Sequence, residues 1–583
     1  MSETSLCDNQ LETDKNMSFN FRLINKCYQD ASGKDYGNAH FLIEENDWDD
    51  YHFSVTYHLH ATPQITGNDI KYLGYIKIMK KGQKEHETYL LRKALGGYAD
   101  FEELPEDFVS MTQSLDVFGS LNMILNAPQK KDFVKQMHLI LSDHDDYYKM
   151  AKGQPAFEKG LLRDSSMESY SLKKGHDIML SGETYYDLRK EKLIMRFNNI
   201  GRAVTVNFSC LPEIEDDKIP NGIMTFIGKN GSGKSTLIYQ LAKVIYAYPD
   251  QRFKLKDDIG LIKPIDIGIS KLFLISYSPF DNFVLPGIGG EDYRLILSGM
   301  ETGNGRLVFC GIRDVKLEIE HILKESTPET YETLFKEIRV GQTSLKSVSL
   351  LAEECIKALS IVLNDKKRKK LWDGIMSQAT IAFQDISSKM YSLLYEPEEI
   401  VKKEFINLST GFKYYLHALS HVIAYIEPDS IILFDEPENH IHPPMLTFML
   451  SSLRHVISQY NSIMMIATHS PIIVQESFSE NVYIVRNMGD RTSVSHPIIE
   501  TYGANIGEIT SEVFDLTTDL SAHYEAYDLL YEEWKTKEDW HSLDEMLNSF
   551  KQHMKGKISN QMLTYVISKY FDSHPEVAEE GGE

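Results

Sequence analysis

Gly228-Lys229-Asn230-Gly231-Ser232-Gly233-Lys234-Ser235-Thr236 fits the pattern G-x-x-x-x-G-K-[ST], a loop whose chemistry is phosphate binding. Glycines leave no Cβ in the way, so successive backbone N–H groups can turn inward and cradle phosphate oxygens. In this pattern Gly228, Asn230, Gly231, Gly233 and Thr236 shape the cradle. Lys234 reaches the β- and γ-phosphates as a point charge, and the Ser235 hydroxyl ligates Mg²⁺. The flanks agree. Ile223-Met224-Thr225-Phe226-Ile227 reads as a short buried strand, and the stretch from Leu237 onward has helical periodicity. Strand, glycine-rich loop and helix N-terminus is the order an anion site needs. ATP with Mg²⁺ is the expected ligand pair.

Two further segments converge on the same chemistry. Ile431-Ile432-Leu433-Phe434 runs into Asp435-Glu436-Pro437, an apolar strand ending in paired carboxylates. A buried strand fixes Asp435 as a Mg²⁺ holder. Glu436 follows at the carboxyl end, where open α/β sheets place ligands, and can act as general base on an attacking water. Ile463-Met464-Met465-Ile466-Ala467 reads as another buried strand delivering Thr468-His469-Ser470-Pro471. His469 can hydrogen-bond a γ-phosphate oxygen and help position the water. Upstream, Leu408-Ser409-Thr410-Gly411-Phe412 sits at a loop-to-helix transition, where Ser409 and the Gly411 backbone can present donors to a phosphate.

Walker A, a Leu-Ser-x-Gly signature, Walker B and a strand-borne histidine in this order resemble the ATP-binding-cassette ATPases. The resemblance covers about 190–490 and implies an α/β fold: a P-loop NTPase of ABC-ATPase type with a helical insert and an N-terminal α+β region. It also implies that ATP lies between two heads, with Lys234 of one copy and Ser409 of the other on the same nucleotide, and hence a homodimer or higher oligomer. The usual signature is Leu-Ser-Gly-Gly-Gln; here Thr410 replaces the first Gly and Phe412 the Gln. The tail Ile441-His442-Pro443 and the run His469-Ser470-Pro471 are similar to soluble heads of the SMC, RecF and overcoming-lysogenization type, not to transporter subunits. No transporter-type glutamine loop is visible where Ser276-Tyr277-Ser278-Pro279-Phe280-Asp281 stands. Within the soluble group the chain resembles the bacterial anti-phage ATPases of Septu and retron-associated systems. That implies a regulatory ATPase gating a separate HNH-type nuclease subunit. The alternative is a RecF- or SMC-like repair ATPase that clamps DNA directly.

The bulk composition bounds these readings. The chain has 583 residues, 42% hydrophobic and 25% charged, the profile of a multi-domain globular protein. A formal charge of −24 argues against a general DNA-coating role. Five scattered cysteines without metal-ligand spacing suit free thiols in a reducing cytoplasm. No apolar run is long enough to span a bilayer. Composition and pattern divide the chain into a disordered N-terminus (1–16), an N-terminal α+β accessory region (17–185), the ATPase head (186–500, with a helical lobe at 313–400) and a helical docking region (501–583).

Within the accessory region, 52–61 and 71–80 alternate as strands, 132–143 reads as a helix, and 150–185 as loop-rich. Its many Tyr and Phe residues read as core. The basic run Lys366–Lys370 reads as a solvated helix face rather than a nucleic-acid contact. His58, His60, His144 and Asp146 match no standard metal spacing.

Overall fold

The computed structural model describes residues 18–573 apart from 26–35, 47–49, 51, 68–69, 163–166, 168–169, 182–187, 191, 199–203, 208–220, 248–250, 253–254, 264–266, 288, 304, 326–333, 335–336, 338, 383–395, 488, 490–491, 515–521 and 536–542. The predicted disordered stretch 1–16 lies outside the described residues. The chain divides into two compact units, Met1–Gly503 and Ala504–Glu583.

The first unit opens with a sheet of β1 (Phe21–Ile24), β2 (Phe41–Glu45), β3 (Thr56–Ala61), β4 (Lys71–Lys80), β5 (Asp100–Phe101) and β6 (Phe108–Met111), in the spatial order β5-β1-β2-β3-β4-β6. The alternating segments at 52–61 and 71–80 are thus strands, the second over its whole predicted length. Its aromatic residues pack as predicted. Phe41 meets Phe19, Phe21 and Phe133 with ring centroids 5.0–5.6 Å apart, spacings at which aromatic pairs add to plain area burial.

Two expectations in this region need correcting. The helix read at 132–143 lies instead at Ala127–Gln136. Asn126 and Gln129 form a reciprocal capping box at its start, a local signal that fixes the boundary more firmly than apolar periodicity does. At the other end His138 takes φ 45°, and Leu139 leaves to bridge Ser110 beside β6. The stretch 150–185, read as loop, contains helical turns at Ala156–Leu162 and Tyr170–Ser181. Phe157 and Leu161 in the first turn are buried among Phe53, Val55 and Met79. Few apolar residues, closely spaced, suffice to order it.

β7 (Lys192–Phe197), β8 (Val204–Asn207) and β10 (Gly260–Lys263) make a small antiparallel sheet, β10-β7-β8. The remaining strands form the platform of the head. They are β9 (Ile223–Ile227), β11 (Leu272–Ser276), β12 (Leu307–Gly311), β13 (Ile431–Asp435), β14 (Ile463–Thr468), β15 (Val482–Asn487) and β16 (Thr492–Ser495), in the order β12-β11-β13-β14-β9-β15-β16. All neighbours are parallel except β15 and β16.

The apolar runs that spelled these strands are buried on both faces, as parallel strands between helical layers must be. Side chains alternate between two cores. Ile431 and Leu433 enter one, which also takes the helix Lys234–Tyr246. Ile432 and Phe434 enter the other, against the helices Val348–Asn364, Thr410–Tyr425 and Pro443–Gln459.

The basic run opens the helix Lys366–Ala382. Arg368 donates to the carbonyls of Ile423 and Ile426, closing the carboxyl end of the helix Thr410–Tyr425. Lys367 lies over the Tyr460 ring at 4.5 Å. In the second unit, the helices Ala522–Lys535, Leu543–His553 and Asn560–Ser573 share a core of Tyr531, Trp534, Met546, Phe550, Met562 and Val566. Among the described residues no helix is long and apolar enough to cross a membrane.

Candidate functional site

Strand order places the site. β14 lies between β9 and β13, and the register pairs Thr468 with Ile227 and Ala467 with Asp435. The carboxyl ends of β9, β13 and β14 therefore stand level. The glycine-rich loop, the Asp435-Glu436 pair and His469 all leave the sheet at one edge, where doubly wound sheets bind ligands. Asn230, Gly231, Gly233, Lys234, Ser235, Thr236, Glu436 and His469 line one cleft of about 440 Å³, joined by Arg339 and Asn439.

The loop's backbone requires its glycines. Gly233 takes φ 100° at the start of the helix Lys234–Tyr246, a region hostile to other residues. A Cβ on Gly228 would fall 2.2 Å from the Val485 carbonyl oxygen, so β15 presses directly on the loop. Lys234 is 4% exposed, and its ammonium donates to the carbonyls of Gly228 (2.8 Å) and Lys229 (3.1 Å). Burial lowers its pKa, while the carboxylates of Glu436, Asp435 and Glu438 oppose that shift. The loop thus carries a desolvated cation facing three acids. Ser232 Oγ is buried with no hydrogen-bond partner among the described residues, an orphan donor within the cradle.

Ser235 donates to Asp435 Oδ1 at 3.0 Å across 200 residues of sequence. Burial, with the Glu436 carboxylate beside it, pushes the Asp435 carboxyl up to about 8. A hydroxyl paired with a buried carboxyl that lacks enough positive charge is a donor set suited to a hard divalent cation. Glu436 takes φ 48°, an uncommon conformation for a side-chain-bearing residue. Its N–H bonds the Ala467 carbonyl at 2.8 Å, and Asn439 Nδ2 donates to its Oε2 at 3.0 Å. The turn lifts the carboxylate off the strand and into the cleft wall.

Sequence reasoning gave Glu438 and Asn439 no role. In the structure Glu438 organises the histidine. Its Oε1 accepts from Thr468 Oγ1 (2.7 Å) and from the His469 backbone N–H (2.7 Å), and lies 3.1 Å from His469 Nδ1. That hold assigns Nδ1 as donor and leaves Nε2 as acceptor in the neutral ring. Arg339 was missed outright. Its guanidinium donates to Asn282 Oδ1 at 2.7 Å and lies over the Phe283 ring at 4.2 Å. The loop after β11, where a transporter would carry its glutamine, therefore places an arginine at the cleft. Asp281 on that loop is buried, accepting from Tyr239 and facing Arg313.

Ser409 and Gly411 are not among the residues lining the cleft. Ser409 is the N-cap of the helix Thr410–Tyr425 with no side-chain capping bond, and both Ser409 and Thr410 are exposed. Gly411 is buried against the segment after Walker B, where an added Cβ would stand 2.9 Å from the His440 carbonyl oxygen. Of the four candidates His58, His60, His144 and Asp146, only His58 and His60 are neighbours, on β3 with ring centroids 6.5 Å apart, and each has its own partner. His60 pairs with Glu44 (2.8 Å), His58 with Tyr72 (3.1 Å), and His144 is 92% exposed.

Residues 357–475 match a family model described as an AAA domain, putative AbiEii toxin, type IV TA system. Over 513 residues the chain is 23% identical to the protein ea59 of Escherichia phage lambda, covering 83% of this chain and 87% of that one. Among solved structures it aligns with an Smc head bound to the C-terminal winged-helix domain of ScpA (15% identity, 52% of this chain, 96% of that chain, TM-score 0.24). It also aligns with an ABC-transporter ATP-binding cassette in its ADP conformation (15%, 55%, 92%, TM-score 0.24) and with UvrA2 of Deinococcus radiodurans (13%, 54%, 38%, TM-score 0.24). The strand order, the glycine-rich loop and the converging acids carry the fold assignment: the chain contains an α/β P-loop head of the ABC-ATPase type.

Proposed function

We propose that this cleft binds ATP with Mg²⁺ and hydrolyses it, and that the cycle closes two heads on each other to restrain or release a partner nuclease. The observation that supports it most is the 3.0 Å contact between Ser235 and Asp435, set in one cleft with Lys234, Glu436 and His469. In this reading the loop N–H groups and Lys234 hold the β- and γ-phosphates, and Arg339 adds a second cation. Ser235 and Asp435 hold the metal, which supplies charge neutralisation on the phosphates when bound. Glu436, fixed by Asn439, takes the proton of the attacking water. His469, held by Glu438, orients that water or a γ-phosphate oxygen.

Ser409 and Gly411 serve the nucleotide of a second copy. The exposed Ser409 and Thr410, at the start of a sixteen-residue helix with no side-chain capping bond, favour this, since an anion from outside the chain can approach that end. The matched family's description names a putative toxin of a toxin–antitoxin system, and the lambda relative is a phage protein. Both are compatible with a role in conflict between phage and host. The engagement of Arg368 and Lys367 within the fold leaves less of the basic run for DNA and weighs against the clamp alternative.

The test is Glu436→Gln. It lowers ATP turnover by about 10²–10⁴, the usual loss for a general base, and accumulates a dimer in ATP by light scattering. A variant that turns ATP over at the parental rate removes Glu436 from this role. Salt-sensitive DNA binding by the chain alone, in ATP, would instead favour the clamp.

A further inference from the structure

We propose that Cys310, His417 and His421, with the Tyr277 hydroxyl as fourth donor, bind a transition-metal ion of the zinc class that staples the helix Thr410–Tyr425 to the central sheet. The site lies apart from the ATP cleft and does not depend on the reading of that cleft. The Cys310 sulfur and one ring nitrogen of each histidine lie within 4.8 Å of one another, and all three residues are buried. Cys310 sits on β12, and Tyr277 directly follows β11. His417 and His421 are four residues apart on one helix, the spacing that puts two imidazoles on one face for a shared ion.

Three separations are short. Cys310 Sγ to His417 Nδ1 is 3.3 Å, Tyr277 Oη to Cys310 Sγ is 3.3 Å, and Tyr277 Oη to His417 Nδ1 is 2.9 Å. Around a tetrahedral ion with bonds of about 2.3 Å to sulfur and 2.0–2.1 Å to nitrogen, neighbouring donors stand about 3.3–3.6 Å apart. Cys310, His417 and Tyr277 need to spread by only a few tenths of an ångström to admit one, and His421, within 4.8 Å of the Cys310 and His417 ligand atoms, closes in from the next helical turn.

The surroundings of the two rings supply a second, independent argument. A metal-bound histidine donates its other ring N–H to a carboxylate or a backbone carbonyl, which fixes the tautomer and strengthens the ligating nitrogen. Both rings here have such a partner. His417 Nε2 is 3.1 Å from Glu354 Oε2, which Lys346 holds in turn at 2.8 Å. His421 Nδ1 is 2.7 Å from the His417 carbonyl. The ligating atoms left over are His417 Nδ1 and His421 Nε2.

One thiolate, two imidazoles and one oxygen in a water-poor site select a borderline-soft ion over Mg²⁺ or Ca²⁺. On binding, a sulfur–metal bond replaces the S–H bond of Cys310, and the proton leaves to solvent. The ion would join three elements otherwise linked there by hydrogen bonds: β12, the end of β11, and the helix whose first turn carries Ser409.

The full-length chain is purified without chelators and without immobilised-metal resin, and its metal content is measured by plasma mass spectrometry. It is then reconstituted with Zn²⁺ or with Co²⁺ as a spectroscopic probe. The expected result is one tightly held ion per chain, a thiolate-to-cobalt charge-transfer band, and a Zn²⁺-dependent rise in melting temperature. Cys310→Ser abolishes the band, and His421→Gln abolishes the Zn²⁺-dependent rise while keeping the parental circular dichroism. Ser235→Ala, in the ATP cleft, leaves the band in place. No ion above buffer background after reconstitution, or a band or melting shift that survives both site variants, overturns the proposal.

Discussion

Glu427→Gln tests how the N-terminal sheet is fastened to the head. Glu427 accepts from Lys71 Nζ of β4 at 3.1 and 3.0 Å and lies 3.5 Å from Lys271 Nζ, beside β11. The Glu427 and Lys71 side chains are 16% exposed and that of Lys271 is 4% exposed. Burial alone would raise the Glu427 pKa, but Lys71 and Lys271 outweigh it and bring it from 4.5 to about 2. At about 1.4 kcal/mol per unit, that shift corresponds to ~3 kcal/mol of native-state stabilisation at neutral pH. Loss of one partner from a buried pair costs ~3–5 kcal/mol, because the other charge stays buried; here two ammonium groups are left facing each other.

The sign follows from the depressed carboxyl. The contribution is complete above pH 4.5 and is lost as pH falls from there toward 2. Denaturant unfolding followed by the fluorescence of the first unit should show Glu427→Gln shifted to a lower midpoint at pH 7, with the gap to the parent narrowing below pH 4.5. Adding Lys71→Met should recover part of the loss, since it removes one of the two stranded charges. Equal midpoints for parent and Glu427→Gln at pH 7, or a gap that persists undiminished at low pH, would refute this reasoning.

Three further outcomes are expected. Glu438→Gln loosens the hold on His469 and should lower kcat for ATP about tenfold, ~1.4 kcal/mol of barrier, with little change in KM; a KM rise at constant kcat would assign Glu438 to ground-state binding instead. Arg339→Ala removes a cation from the cleft and should weaken ATP binding about 10–100-fold, the range of one charge-assisted hydrogen bond at ~1.5–3 kcal/mol, as read by calorimetry against a nonhydrolysable analogue. Arg368→Ala strips two carbonyls at the end of the helix Thr410–Tyr425 of their donor and should cost ~1–3 kcal/mol, with no change in any salt-dependent DNA affinity; a shallower salt dependence would return the basic run to a nucleic-acid role.

The strands were legible because burial on both faces demands near-continuous apolar runs: 431–434 and 463–467 are wholly apolar, and 223–227 is broken only by Thr225, whose buried hydroxyl pairs with Ser477. Each run ends in a residue type that apolar packing cannot explain: a glycine-rich turn, paired acids, a histidine. What the sequence hid were contacts made by folding rather than by spacing. Arg339 follows no motif and reaches the cleft only because Asn282 and Phe283 hold it. Cys310 and His417 are 107 residues apart, and the His417–His421 pair is camouflaged inside the apolar pattern of its helix.

The most consequential hidden fact is spatial order. In the chain the glycine-rich loop, the paired acids and the histidine follow one another; in the sheet the histidine's strand is the middle one. Because β14 sits between β9 and β13, the turn after β13 passes directly over the end of β14. Glu438 can therefore reach Thr468 and His469 at 2.7 Å while Glu436, two residues earlier, lines the cleft with the glycine-rich loop. A single tight turn thus gives two acids different partners, Asn439 for Glu436 and Thr468 with His469 for Glu438. The strained backbone at Glu436 and His440, both at positive φ, is the conformational cost of that division.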